Sequence, residues 1–218
     1  SGHLRCMPLD PDLFLAFLVS ALLISLVPGP DMVFVVANGF RHGPRGGAAA
    51  AVGISGGMLI HTAAAVAGLS ALIQSSAPAF EAIRWAGVAY LLWLAVSALR
   101  GVSNDRLQDR APSAEPDRSL LRVGRQGAVT NLLNPKVIVF FLAFLPQFVD
   151  RDHGSVGFQL LALGIAFAAV GLVVDTAVGI ASGRLGRRLT ASARVSRALD
   201  RLAAVVFVGL AVRLITDR

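Results

Sequence analysis

Long apolar runs alternate with polar connections along the chain: Leu13 to Val36, Ala48 to Ile73, Ala82 to Leu99, Ala128 to Val149, Val156 to Ser182 and Leu202 to Thr216. A helix needs about 20 apolar residues to cross bilayer hydrocarbon, and each run meets that length or nearly so. The pattern predicts an all-α membrane protein of six transmembrane helices. The last run is the weakest, because its uninterrupted core is short and Arg213 lies near its end, so a five-span arrangement stays open. The first run is too long for a cleaved signal peptide and lacks the short apolar core after a basic start. It reads as a permanent span, with residues 1–6, ahead of Met7, as a leader or cloning remnant.

Composition agrees with a membrane setting. Of 218 residues, 55% are apolar and 15% charged, and the mean hydropathy of +0.68 excludes a water-soluble globule. Cys6 is the single cysteine, so no internal disulfide and no cysteine-based metal cluster can form. A net charge of +7 could point to nucleic acid, but the arginines lie between apolar runs instead of forming one basic face. Summed by alternate loops, fourteen arginines fall on one side and five, counting both termini, on the other. Basic loops stay cytoplasmic, which predicts both termini on the periplasmic side.

The polar stretch 101–127, near the midpoint, reads as a cytoplasmic linker whose basic content marks orientation and contact with the lipid bilayer. It separates a first three-helix repeat, 7–100, from a second, 128–218. The stretch from Arg184 to Arg201 places leucines among arginines and reads as an amphipathic surface helix.

Two of the spans are broken. Val27-Pro28-Gly29-Pro30-Asp31 interrupts the first, because two prolines remove backbone donors where hydrocarbon offers no replacement. Asn131-Leu132-Leu133-Asn134-Pro135-Lys136 interrupts the fourth, where Asn134 can cap a new half-helix and proline suits its first position. A shift of 105 residues superposes Gly29-Pro30-Asp31 on Asn134-Pro135-Lys136. Three spans must insert upside down relative to their copy, so the spacing predicts two inverted three-helix repeats, with a binding site where the breaks meet. The symmetry is imperfect, since the break comes about sixteen residues into the first run and about seven into the fourth. Two ordinary proline kinks are the plainer alternative.

Three ionisable groups lie within the spans. Lys136 is the only lysine of the chain, and Asp31 and Asp175 sit in the first and fifth runs. Each costs about 2.5 to 3.5 kcal/mol near a helix centre, so each should be paired or face a ligand. Gly164, Gly171, Asp175 and Gly179 share one helix face, as do Gly53, Gly57 and His61 in the second run. His61 reads either as a proton relay or as a structural histidine bonded to a neighbouring helix. The set suits a zwitterion, with its carboxylate at the half-helix start after Asn134-Pro135, helped by Lys136, and its ammonium near Asp31 or Asp175. A structural ion pair between Lys136 and an aspartate is the alternative.

These motifs, with Trp85-Ala86-Gly87-Val88-Ala89-Tyr90-Leu91 and the run Phe140 to Phe148, resemble the LysE/RhtB family of bacterial amino-acid exporters over nearly the whole chain. The resemblance implies an inner-membrane secondary transporter that expels amino acids, neutral or basic, by proton antiport. It implies no cofactor and leaves a homodimer open. It carries Pro28, Gly29 and Pro30 in the first span and Asn134, Pro135 and Lys136 in the fourth as substrate-binding positions. Asp31, which doubles as a substrate ligand, joins Asp175 and His61 as candidates for proton coupling or gating.

Two other classes compete. Gly53-Ile54-Ser55-Gly56-Gly57 resembles an intramembrane serine-protease motif, but His61 lies six residues further along the same helix, about 9 Å of rise away, so Ser55 lacks a base. An exporter of a metal cation or other small solute would need several oxygen or imidazole ligands, against two aspartates, one histidine and an opposing lysine here.

Overall fold

Asp10 starts the first helix: its carboxylate accepts from the backbone N–H of Asp12 at 2.8 Å and of Leu13 at 3.1 Å, and Pro11 takes the first position. The computed structural model describes residues 10–69, 77–99, 119–150, 154–185 and 193–216, and all regular structure among them is helical. Helix α1, Pro11–Leu26, ends at Val27, because Pro28 and Pro30 bring no N–H to extend the ladder. Helix α2, Pro30–Ala64, is kinked at Gly43, whose φ of 67° and ψ of −167° suit glycine alone, and Pro44 opens its second part. A π-turn, Ala65–Leu69, closes it.

Helix α3 spans Ala77–Leu99. Helix α4, Leu120–Leu132, begins at Ser119, whose hydroxyl accepts from the N–H of Arg122. Asn134 then caps α5, Pro135–Val139, which continues through a π-turn, Phe140–Phe144, and a short 3₁₀ turn, Leu145–Phe148. The two arms meet at a bend of 52°. Helices α6, Val156–Leu185, and α7, Ala193–Thr216, complete the chain.

Two stretches among the described residues, Pro30–Gly68 and Val156–Arg184, are long and apolar enough to cross a bilayer, and the bent pair Leu120–Leu132 with Pro135–Phe148 is a third if it counts as one span. The outward faces are apolar as well: Leu15, Val52, Val173 and Val205 are 62 to 70% exposed. Surfaces of that kind belong against lipid.

The helices depart from the hydropathy reading in three places. The first run splits at its proline break, and the part after it continues helically past Val36 to a second break at Gly43, where Pro44 starts the helix of the second run. The fourth span starts at Leu120, inside the stretch read as linker, because Arg122 and Arg125 lie on its exposed face while Val123, Gly127 and Asn131 are buried. The arm before the break is therefore 13 residues long against 16 in α1, and the mismatch in break position largely disappears. Of the stretch read as an amphipathic helix, Arg184 to Arg201, the ends belong to α6, which runs to Leu185, and α7, which starts at Ala193, and residues 186–192 lie outside the described residues.

Glycines let the helices approach. A Cβ on Gly47 would lie 2.5 Å from the backbone of Gly179, and one on Gly179 would lie 2.8 Å from that of Gly47. Toward the other end of the pair Gly171 meets Met58 and Gly164 meets Thr62, so α2 beyond its kink runs antiparallel to α6. Gly53 faces Gly124 and Gly57 faces Asn131, which sets the same part of α2 parallel to α4. Helix α3 packs on α7. Phe17, Phe140, Phe144 and Phe148 are fully buried and in ring contact, with Phe167 stacked on Phe140 at 4.3 Å between centroids.

Candidate functional site

Each break holds an ionisable side chain at the second position of its new half-helix, Asp31 in α2 and Lys136 in α5. Both reach across to the other half of the chain. The Lys136 ammonium donates to the carbonyl of Val27 at 3.0 Å and of Ile24 at 3.3 Å, the last turn of α1. The Asp31 carboxylate accepts from the Asn131 side-chain amide at 2.8 Å, in the last turn of α4. Charge-assisted bonds of this kind satisfy groups that a broken helix leaves orphaned in an apolar interior.

The two half-helix starts differ in how they are satisfied. At α5 the Asn134 side chain accepts from the N–H of Lys136 at 3.0 Å, and the Asn134 carbonyl accepts from Val137 and Ile138. At α2 the cap is Gly29, which has no side chain, and its carbonyl accepts from Val33. The start of α2 is thus the open end, and the Lys136 ammonium is 3.3 Å from where a Gly29 Cβ would stand.

Asp31, Asp175 and Lys136 surround one cleft of about 360 Å³, counted to its open mouth. Ser25 adds a hydroxyl, and Ile24, Met32, Met58, Val137, Phe140 and Phe167 supply apolar walls. The enclosed part holds little more than a water molecule. Asp31 and Asp175 are 4% and 5% exposed, and the two carboxylates and the ammonium act on one another electrostatically. The ammonium makes its short contacts with the α1 carbonyls, while the two carboxylates act on it from the far side of the cleft. Several buried polar atoms have no partner: Ser25 Oγ, Asp31 Oδ1, Asn131 Oδ1, Asn134 Nδ2 and Ser55 Oγ. Buried groups are ordinarily bonded, so the first two, which line the cleft, mark where a ligand can bond.

Of the residues singled out in the sequence, the fold brings Asp31, Asp175 and Lys136 to the cleft, while Pro28, Gly29, Pro30, Asn134 and Pro135 shape the breaks beside it. His61 lies outside the lining: it stacks on Phe141 at 5.4 Å, and its Nε2 is 3.4 Å from the Asn131 carbonyl oxygen, a contact to the neighbouring helix α4. Met32, Met58 and Phe167 carried no signal in the sequence, because an apolar wall residue looks like any core residue until the helices are packed, and Ser25 was not singled out either. The π-turn that aims Phe140 inward, a distortion often found at working sites, has no sequence mark either.

Apolar helices, broken twice and closed around opposite charges, define a helical membrane protein with a small charged cleft in its interior. The LysE type translocator family matches residues 22–218, and the chain belongs to that family. A protein of Vibrio cholerae described as an uncharacterized membrane protein is 33% identical over 96% of this chain and 100% of its own. A leucine efflux protein of Klebsiella pneumoniae is 31% identical over 93% of this chain and 94% of its own. A homoserine/homoserine lactone efflux protein of Salmonella typhi is 34% identical over 78% and 80%. No solved structure matches.

Proposed function

We propose that this protein exports amino acids across the bacterial inner membrane by alternating access, as a secondary transporter with proton antiport. The observation that carries the reading is the single cleft in which Asp31, Asp175 and Lys136 meet beside two broken helices. Membership of the translocator family and the names of the leucine and homoserine efflux relatives support it. The substrate carboxylate takes the remaining proton of the Lys136 ammonium and the open start of α2. Its ammonium takes the unpaired Oδ1 of Asp31 and the carboxylate of Asp175. The apolar walls suit the side chain of a neutral amino acid better than that of a basic one, which would bring a second cation beside Lys136. The cleft is too small for that ligand as it stands, so loading requires the halves to part. Protonation of an aspartate then alternates with substrate.

The inverted repeat belongs to the same proposal. Pro30 and Pro135 are 105 residues apart, and the two positive-φ glycines among the described residues, Gly43 and Gly154, which precede the long helical stretches, are 111 apart. The antiparallel packing of those stretches and the reciprocal bonds of Lys136 and Asp31 are what a two-fold axis in the membrane plane would produce. Inverted vesicles carrying a proton gradient, offered a panel of amino acids with and without an uncoupler, test the function. Uncoupler-sensitive uptake of leucine or homoserine is the expected result, and no accumulation of any amino acid overturns it. Metal counted in the purified protein separates the alternative, a cation exporter. Arginine asymmetry predicts both termini in the periplasm, so a reporter fused after Arg218 that proves cytoplasmic refutes the six-span topology.

A further inference from the structure

The last turn of α1 ends in carbonyl oxygens with few partners: that of Ile24 accepts only one backbone N–H, that of Val27, at 3.3 Å, and the prolines that follow bring no N–H to complete the ladder. Such oxygens carry the negative end of the helix dipole and, away from water, require a donor or a cation. In secondary transporters with broken helices, the C-terminal ends of half-helices hold Na⁺. Here the Lys136 ammonium occupies that place, 3.0 Å from the Val27 oxygen and 3.3 Å from that of Ile24.

Three further observations make this a built arrangement. Asn134 holds the backbone N–H of Lys136 at 3.0 Å, which fixes the root of the side chain. Gly29 leaves the path open: a Cβ there would stand 3.3 Å from Nζ and 3.5 Å from Cε. The nearby Asp31 is engaged by Asn131 and does not pair with the ammonium, so helix-end carbonyls at short range and two carboxylates at longer range balance the charge. A bound alkali ion would be balanced in the same way.

We propose that Lys136 is a tethered cation: its ammonium fills, from within the chain, a monovalent-cation site made by the Ile24 and Val27 carbonyls, so that the transporter works without Na⁺. The cation site is a property of the folded chain; only the clause on transport rests on the function proposed above.

Removing the tether should turn the site into one for free cations. Purified Lys136→Ala is melted in detergent with propylammonium chloride, sodium chloride or choline chloride at equal ionic strength, beside the wild type. The variant is expected to gain a saturable increase in Tm over choline with propylammonium or Na⁺, of about 3 to 6 °C at ten times the dissociation constant. The wild type is expected to gain none. A folded variant that answers to neither cation overturns the proposal, as does a wild type that gains as much from Na⁺. The second arm needs no variant: wild-type uptake into inverted vesicles is expected to agree within about twofold between Na⁺ and choline media, and a requirement for Na⁺ overturns the proposal. Absence of uptake in both media would sink the transport reading while leaving the melting arm to decide the cation site.

Discussion

Asn131→Ala isolates the bond on which Asp31 depends. The Asn131 amide donates to Asp31 Oδ2 at 2.8 Å, so the truncated protein removes the shortest bond to the carboxylate and leaves the Asn134 side chain as its nearest amide. Asp31 is 4% exposed and Asn131 fully buried, so neither water nor the bulk dielectric restores the loss cheaply. A hydrogen bond to a charged group contributes about 1.5 to 3 kcal/mol. For a chain of this size each kcal/mol moves Tm by about 2 to 4 °C, which puts the variant about 3 to 12 °C below the wild type. The assay is thermal unfolding in detergent, paired with uptake in inverted vesicles. Thr130→Ala is the control on the same helix, since that hydroxyl bonds only the Gln126 carbonyl in its own turn. An Asn131→Ala protein that melts within a degree of the wild type, or no lower than Thr130→Ala, refutes the claim that Asp31 is held by this bond.

Gly47→Val should lose stability by about 1 to 3 kcal/mol or fail to insert, because its side chain would meet the Gly179 backbone, whereas Gly56→Ala, with nothing within 4 Å of its added Cβ, should melt as the wild type does. Gly43→Ala should cost about 1 to 3 kcal/mol through backbone conformation alone, since its φ of 67° and ψ of −167° lie where side chains are not tolerated and nothing crowds the position; an unchanged melting curve would count against the kink. Ser25→Ala should leave stability within about 0.5 kcal/mol of the wild type, because its hydroxyl has no partner to lose, yet raise KM for the transported amino acid; an unchanged KM would remove Ser25 from the binding site.

Much of the fold was legible in the sequence because its signals are local. Proline lacks an N–H wherever it stands, so Pro28, Pro30 and Pro135 announce the breaks without reference to neighbours. Gly53 and Gly57 announce a close packing face through spacing alone, and the packing on Gly124 and Asn131 agrees. The start of α4 was not legible, because a hydropathy run cannot include Arg122 and Arg125 even though they share a helix with buried Val123 and Asn131. Asn134 was legible as a cap, because an asparagine before Pro135 has only a local role to fill, and its side chain accepts from the N–H of Lys136.

Sequence by itself determined that three charges are buried, because apolar runs around Asp31, Lys136 and Asp175 leave hydrocarbon as their surroundings, whatever the packing. Only the tertiary structure decided what each charge meets. Lys136 finds carbonyls 109 and 112 positions away, and Asp31 finds an amide 100 positions away. Those partners follow from how closely glycine faces let helices from the two halves approach. Such a quantity depends on pairs of surfaces rather than on any one stretch of chain.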